Sequence, residues 1–353
     1  MKCYSKFYIL ALLALASVVY LPNSRAIAQT KTKPAAAQPA AQSEEESKFS
    51  EEEWEAQDKA SKEPNYEKRG TMLLDFINKW PKSELLKNVE YEYAVVLLGA
   101  CDKEEKWDLL KSLAEKWLAL HPNNLDMYNI IAKASYKTGD FKRCAECLEE
   151  IYKTQPSGTM GTMAMTILET YKQANNLAKI IDWTDKILKI QGFEGEFALP
   201  YELVKKYSDS NNMPKAVEYC KKTLASMDAV KQPDAKTQEQ LVAVRNACYL
   251  VIGRSLYDAD KFAEAEKEYQ LALKYKKSSD AFFHIGMCLW NQKKPEDVEN
   301  ALLNLAAAEL IGEDPYKKSA KDGIEKLYPS QHNQTMIGIE KLYKRAKEQL
   351  LSK

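Results

Sequence analysis

An apolar or aromatic residue that opens a helix returns along this chain at nearly fixed intervals. That recurrence constrains the fold more than any other feature. The residues are Tyr66, Trp107, Phe141, Leu177, Met213, Phe262 and Pro295, spaced by 41, 34, 36, 36, 49 and 33 residues. A turn signal precedes each: "EPN", "KEEK", "TGD", "NN", "SNN", "DADK" and "KK". Pro81, Pro122 and Pro156 close several units, as expected of a residue that cannot continue a helix. A period in the thirties predicts helix–turn–helix units that bury their apolar faces on their neighbours. With only 12 glycines and 13 prolines in 353 residues, the chain lacks the tight turns of an all-β fold.

One residue looks out of place. Gly253 stands inside a helical pattern that runs back through "ACYLVI", where glycine costs about 1 kcal/mol against alanine. Its neighbours explain it. Tyr249, Ile252, Gly253 and Leu256, followed by Phe262, Ala265, Tyr269 and Ala272, form a large–large–small–large helix and its partner. Tyr128, Ile131, Ala132, Gly139, Phe141 and Pro156 repeat the pattern, as do Phe282, Ile285, Gly286 and Leu289. These stretches resemble the tetratricopeptide repeat family, of the secreted or periplasmic bacterial type. The resemblance covers about seven units over residues 51–312. It implies an all-α fold: an α-solenoid, a right-handed superhelix of helix–turn–helix units, with capping helices over 313–353. It also implies that Ala132, Gly253 and Gly286, with Ala265 from the other side, let paired helices approach closely.

The spacing of 49 before Phe262 predicts a first helix lengthened by several turns or an extra turn-and-helix piece. The tail "DPYKKSAKDGIEKLYPSQHNQTMIGIEKLYKRAKEQLLSK" predicts two helices broken at Pro329, the last a charged cap.

The beginning of the chain is of another kind. Lys2 and Lys6 precede an apolar run from Phe7 to Leu21, and Ala26-Ile27-Ala28 precedes Gln29. This is the pattern of a secretory signal peptide, residues 1–28, cleaved after Ala28. An uncleaved segment would instead anchor the chain in a membrane. Cleavage removes Lys2, Lys6 and Arg25, so the charge goes from 51 − 51 to 48 − 51 = −3. Residues 29–50 have almost no large apolar side chains and read as a disordered linker.

Chemistry is sparse. The three histidines, His121, His284 and His332, have no partner at metal-ligand spacing. There is no glycine-rich phosphate loop or nucleophile elbow, and acidic residues alternate with lysines as on solvated helix faces. No cofactor, metal or catalytic residue is expected, and zero net charge gives no footprint for nucleic acid. Cys144 and Cys147 have redox-motif spacing but fall mid-helix, where the repeat wants small buried residues. Cys101 and Cys220 also fall on core-facing spacings. Buried thiols are the expectation, with a disulfide as the alternative.

In the resembled family, first helices line a concave face that holds peptides. Leu250, Arg254 and Tyr257 share one helix face, and Phe283, Met287 and Trp290 repeat that spacing beside His284. These helices are apolar on more than one side, and aromatics with one arginine are the composition of interface hot spots. Lys205 and Glu202 extend the surface. The competing outcome is that the capping helices fold onto it. Asn129 and Lys133 match half of the family's carboxylate clamp, but Thr166 stands where an asparagine is wanted, so chaperone-tail binding is not expected. The sequence therefore points to a non-catalytic protein- or peptide-binding scaffold of the cell envelope. The alternative is a membrane-anchored spacer or assembly factor, since "FINKWPKSEL" resembles repeats of outer-membrane assembly lipoproteins but lacks their lipid-attachment cysteine.

Overall fold

The computed structural model describes residues 49–154, 157–312 and 315–352. The expected leader, and the linker up to residue 48, lie outside the described residues. Among the described residues the fold is all helix, with consecutive helices packed along the chain as in an α-solenoid. They divide into two compact units, the first closing at Lys186 and the second opening at Ile187.

Among the described residues, seven hairpins precede the cap. They pair α1 (Glu51–Lys62) with α2 (Tyr66–Lys79), and α3 (Leu86–Tyr91) and α4 (Leu98–Lys103) with α5 (Trp107–Leu120). Next come α6 (Leu125–Thr138) with α7 (Phe141–Tyr152), and α8 (Met160–Gln173) with α9 (Leu177–Ile187). The second unit holds α10 (Ala198–Asp209) with α11 (Met213–Asp228), α12 (Ala235–Tyr257) with α13 (Phe262–Tyr275), and α14 (Ser279–Asn291) with α15 (Val298–Ile311). The caps are α16 (Tyr316–Gln331) and α17 (Ile339–Ala346). Six of the seven spaced residues open the second helix of a hairpin. The seventh, Pro295, opens a short 3₁₀ turn running into α15.

The turns are built alike. A left-handed residue stands two positions before the opening residue in six hairpins: Glu105, Gly139, Asn175, Asn211, Asp260 and Lys293. The next N–H then reaches back five residues, as Asp140 to Ser135 O (2.8 Å), Asn212 to Tyr207 O (2.8 Å) and Lys261 to Leu256 O (3.0 Å). That bond closes the first helix by satisfying a carbonyl its own ladder leaves free. The same residue often caps the following helix: Asp140 accepts from Arg143 N, Asn176 from Lys179 N and Asn212 from Lys215 N.

Gly253 and Gly286 lie at inter-helix contacts. A Cβ on Gly253 would stand 3.0–3.1 Å from the Tyr269 ring of α13. One on Gly286 would stand 2.9 Å from both Ala301 O and Leu305 Cγ of α15. Ala265, Tyr269, Ala301 and Leu305 have no exposed surface, so both hairpins close around these contacts. Successive hairpins are also tied by polar links about one period apart. Arg143 meets Glu115 at 3.0 Å and Lys179 meets Glu149 at 2.8 Å between second helices, and Lys133 meets Asp102 at 2.7 Å between first helices.

The long spacing before Phe262 is taken up by α12, a 23-residue helix capped by Asp234 and therefore an extended first helix. Pro329 does not break the tail where expected. It sits in the last turn of α16, which ends at Gln331, and its own carbonyl accepts from His332 N at 3.1 Å. Its missing N–H cannot continue the hydrogen-bond ladder, and the helix stops two residues later. In α17 only Leu342 and Ala346 are buried, which fits a charged cap.

Between α3 and α4 the chain winds a wide π-helical turn, Glu92–Leu97. Val89, Tyr93, Leu97 and Cys101 are all fully buried at a strict spacing of four. An α-helix repeats every 3.6 residues, so such a row would drift off the core, and the wide turn keeps it aligned. No helix among the described residues is long and apolar enough to cross a membrane.

Candidate functional site

Of the eight residues singled out in the sequence, seven lie on α12 and α14, and most are packed rather than open. Leu250, Tyr257 and Trp290 pack against the core of Tyr269, Ile285, Cys288 and Leu289. Phe283 and Met287 pack against the core formed by α15 and the caps. His284 is 4% exposed and central. Its ring stacks on Tyr269 at 4.9 Å and meets Tyr257 (5.5 Å) and Phe283 (5.1 Å) edge-on. Its Nδ1 faces Asp280 Oδ1 at 2.7 Å, one helical turn earlier.

The first capping helix covers part of this cluster. The Tyr316 ring of α16 lies 5.4 Å from His284 and 5.7 Å from Phe283. Its hydroxyl interacts with Asp280 and Arg254, and burial followed by the Asp280 charge pushes its pKa up. Tyr257 is likewise pushed up by burial, against the hydrogen bond that Asn291 donates to its oxygen at 3.2 Å. Arg254 is exposed and pairs with Asp258 at 3.2 Å. Lys205 stands exposed on α10 over its own Tyr201 ring at 4.9 Å, and none of the ring contacts around His284 includes it. The capping helix thus meets the surface that the sequence offered to a partner, and only Arg254 and Lys205 of the eight are open to solvent.

Open apolar side chains lie elsewhere: Leu310, Met336 and Ile337 in the second unit, scattered near its end, and a closer group in the first. Tyr91 is 53% exposed, Val95 52% and Val96 38%, all at or within the wide turn of the second hairpin's first helix. Gly99 continues the row, with open space where its Cβ would be. The ion pair of Asp102 with Lys133 brings α6 alongside, and there Leu125 is 38% exposed. Lys133 and Lys137 stand 5.6 and 5.5 Å from the Trp107 ring. These lysines gather at the Trp107 end of the hairpin, Lys133 already paired with Asp102. The spacing of Tyr91 and Val95 places them on one helix face, but nothing in the sequence marks the wide turn that leaves Val95 and Val96 outside the core.

The cysteines are packed into the core. All six among the described residues are buried, and none is bonded to another. Burial pushes Cys144, Cys147 and Cys288 up to about 12. A thiol so raised is neither a nucleophile nor a metal ligand at neutral pH. Among the described residues, no cluster of three or more His, Cys, Asp or Glu is placed to hold a metal ion.

No protein-family model matches this chain, and no curated protein does either. Several solved structures are similar to it. The C-terminal part of a TPR repeat-containing protein from Cytophaga hutchinsonii is 12% identical, over 74% of this chain and 96% of that one, at a TM-score of 0.38. The TPR2AB domain of yeast Sti1 in a pHSP90 complex is 16% identical, over 71% and 95%, at 0.25. A human IFIT1 dimer with m7Gppp-AAAA is 14% identical, over 80% and 82%, at 0.26. At such TM-scores the likeness carries no weight of its own, and the fold stands on the chain's own hairpins and contacts.

Proposed function

We propose that this chain is a non-catalytic protein-binding scaffold of tetratricopeptide-like hairpins that acts in the cell envelope after export. The observation that supports this most is the exposed row of Tyr91 and Val95, with Val96 beside it, on a first helix. Water-exposed apolar side chains grouped on one face mark an interaction surface rather than a core. The row suits a partner segment that carries an apolar anchor. On this reading the aromatic cluster around His284 seats the cap, and Arg254 and Lys205 are solvent-facing positions outside the binding face.

A photo-reactive residue placed at Val95, in the chain expressed in its own cell, tests the proposal. Cross-linking to one protein at Val95, and not at exposed Lys318 on α16, is the expected result. Equal labelling at both positions, or none at either, would remove the binding face and favour the spacer reading. Export is tested separately: sequencing the mature protein should find Gln29 at its N-terminus, whereas an intact Met1 or Lys2 start would mean an anchored or unexported chain.

A further inference from the structure

Charge is not spread evenly along this neutral chain. Residues 315–352, the caps and their connecting loop, hold 8 basic and 4 acidic side chains, so 8 − 4 = +4. The hairpin residues before them, 49–312, hold 36 and 42, so 36 − 42 = −6. All eight cap cations are exposed. Among the described residues, Lys321 pairs with Glu325 at 4.0 Å, Lys344 with Glu348 at 3.9 Å, and Arg345 with Glu299. Lys317, Lys318, Lys326, Lys341 and Lys347 turn to solvent.

The loop 332–338 between α16 and α17 adds a second observation. Ile337 is 82% exposed, the most exposed large apolar side chain among the described residues, and Met336 beside it is 37% exposed. The loop is braced from behind. Gln334 N donates to Pro329 O (2.8 Å) and Thr335 N to His332 O (3.0 Å). The hydroxyl of buried Tyr328 donates to Ile337 O at 3.2 Å, and Gly338 turns the chain there with φ 88°. Lys341 follows in the first turn of α17, its N–H on Gly338 O at 3.0 Å, and Lys326 lies in the last two turns of α16. Two apolar side chains are thus held at a fixed tip, with a cation on each flanking helix.

We infer that this tip docks the chain on an anionic lipid surface. Ile337 and Met336 enter the headgroup layer, and Lys326 and Lys341 meet lipid phosphates. An apolar tip alone would suit a protein groove as well. The positive balance of the cap, on a chain whose hairpins are negative, is what favours lipid. The same surface repels the negative hairpins, which leaves the cap as the part that touches it. Glu340, next to Lys341, subtracts from the attraction. The contact is peripheral, because no helix among the described residues can cross a membrane. The inference stands apart from the protein-binding reading, since it concerns the cap and not the face of Tyr91 and Val95.

The test uses the full chain carrying Cys3→Ser, so that one added cysteine takes a polarity-sensitive nitrobenzoxadiazole label while the six buried cysteines do not. Ile337→Cys places the label at the tip, and Ser210→Cys places it on an exposed turn as control. Each is titrated with vesicles of phosphatidylcholine plus phosphatidylglycerol, and of phosphatidylcholine alone. The tip label should shift to the blue on the anionic vesicles only, and the control label on neither. K326Q/K341Q should raise the lipid needed for half the shift by about 25-fold, roughly fivefold per lysine, at an unchanged thermal midpoint. Added salt gives a reading that needs no lysine variant: the shift should fade as salt rises. No shift at the tip, an equal shift at both positions or on both vesicles, or a shift indifferent to salt and to the lysine pair would overturn the inference. A tip shift produced by duplex DNA without lipid would make the cap a general polyanion site and would also overturn it.

Discussion

Gly286→Ala gives the sharpest test of why these hairpins pack as they do. In an unhindered helix the change stabilises by about 0.5–1 kcal/mol, because alanine lacks glycine's chain-entropy cost. Here the new methyl would lie 2.9 Å from the Ala301 carbonyl oxygen and 2.9 Å from Leu305 Cγ. Both neighbours are fully buried, and the oxygen belongs to backbone that cannot rotate away. Overpacking of this kind costs about 1–3 kcal/mol, so the net effect is a loss of about 0.5–2 kcal/mol. Gly99→Ala is the internal control, because Gly99 is exposed, helical and has nothing within 4 Å of its Cβ position. It should gain the full helix preference, about 0.5–1 kcal/mol. The two substitutions are chemically identical and should move the thermal midpoint in opposite directions, by about 2–4 °C per kcal/mol for domains of this size. Circular dichroism on the two variants suffices. If Gly286→Ala gains as much as Gly99→Ala, glycine there is merely tolerated and the close-approach account fails.

Four further outcomes follow from the same geometry. Lys293→Gly and Glu105→Gly should each stabilise by about 0.5–1 kcal/mol in denaturant melts, since a left-handed backbone costs an L-residue roughly 1–2 kcal/mol, partly offset by glycine's entropy. Burial alone would raise the Glu149 pKa, but bonds from Lys179 (2.8 Å) and Trp183 (2.7 Å) hold it below the ordinary carboxylate value. A lowered folded-state pKa gives stability that is complete above the unfolded value and lost as pH falls through the folded one. Glu149→Gln should therefore cost about 1 kcal/mol at pH 7 and flatten the acid limb of the stability–pH curve below about pH 4.5. Tyr316→Ala should cost about 1–2 kcal/mol and speed amide exchange in α16 more than in α10, because it uncovers His284 and Phe283.

Much of this architecture can be read from the residues because it is local. A left-handed position two residues before an apolar helix opener is written as "TGD", "NN" or "DADK", and turns of that chemistry fold without distant help. The roles of Gly253 and Gly286 were also legible, since only close packing offsets glycine in a helix. What escaped depends on neighbours far along the chain. The wide turn at Glu92–Leu97 follows from the need to keep Val89, Tyr93, Leu97 and Cys101 on one core, and no single residue announces it. The second apolar face of α12 and α14 was visible, but its cover was not, because Tyr316 lies 32 residues beyond His284 in a tail with no repeat register. Asp280, four residues before His284, was the available hint that this histidine is held inside.

The most direct test of the functional account is Val95→Asp, read in two ways on one sample: affinity for the partner captured at Val95, and resistance to unfolding. Val95 is half exposed, so a carboxylate there should leave stability within about 0.5 kcal/mol of wild type while binding falls at least about tenfold, or about 1.4 kcal/mol. Unchanged affinity in a fully folded variant would contradict the claim that this first-helix face is where another protein binds.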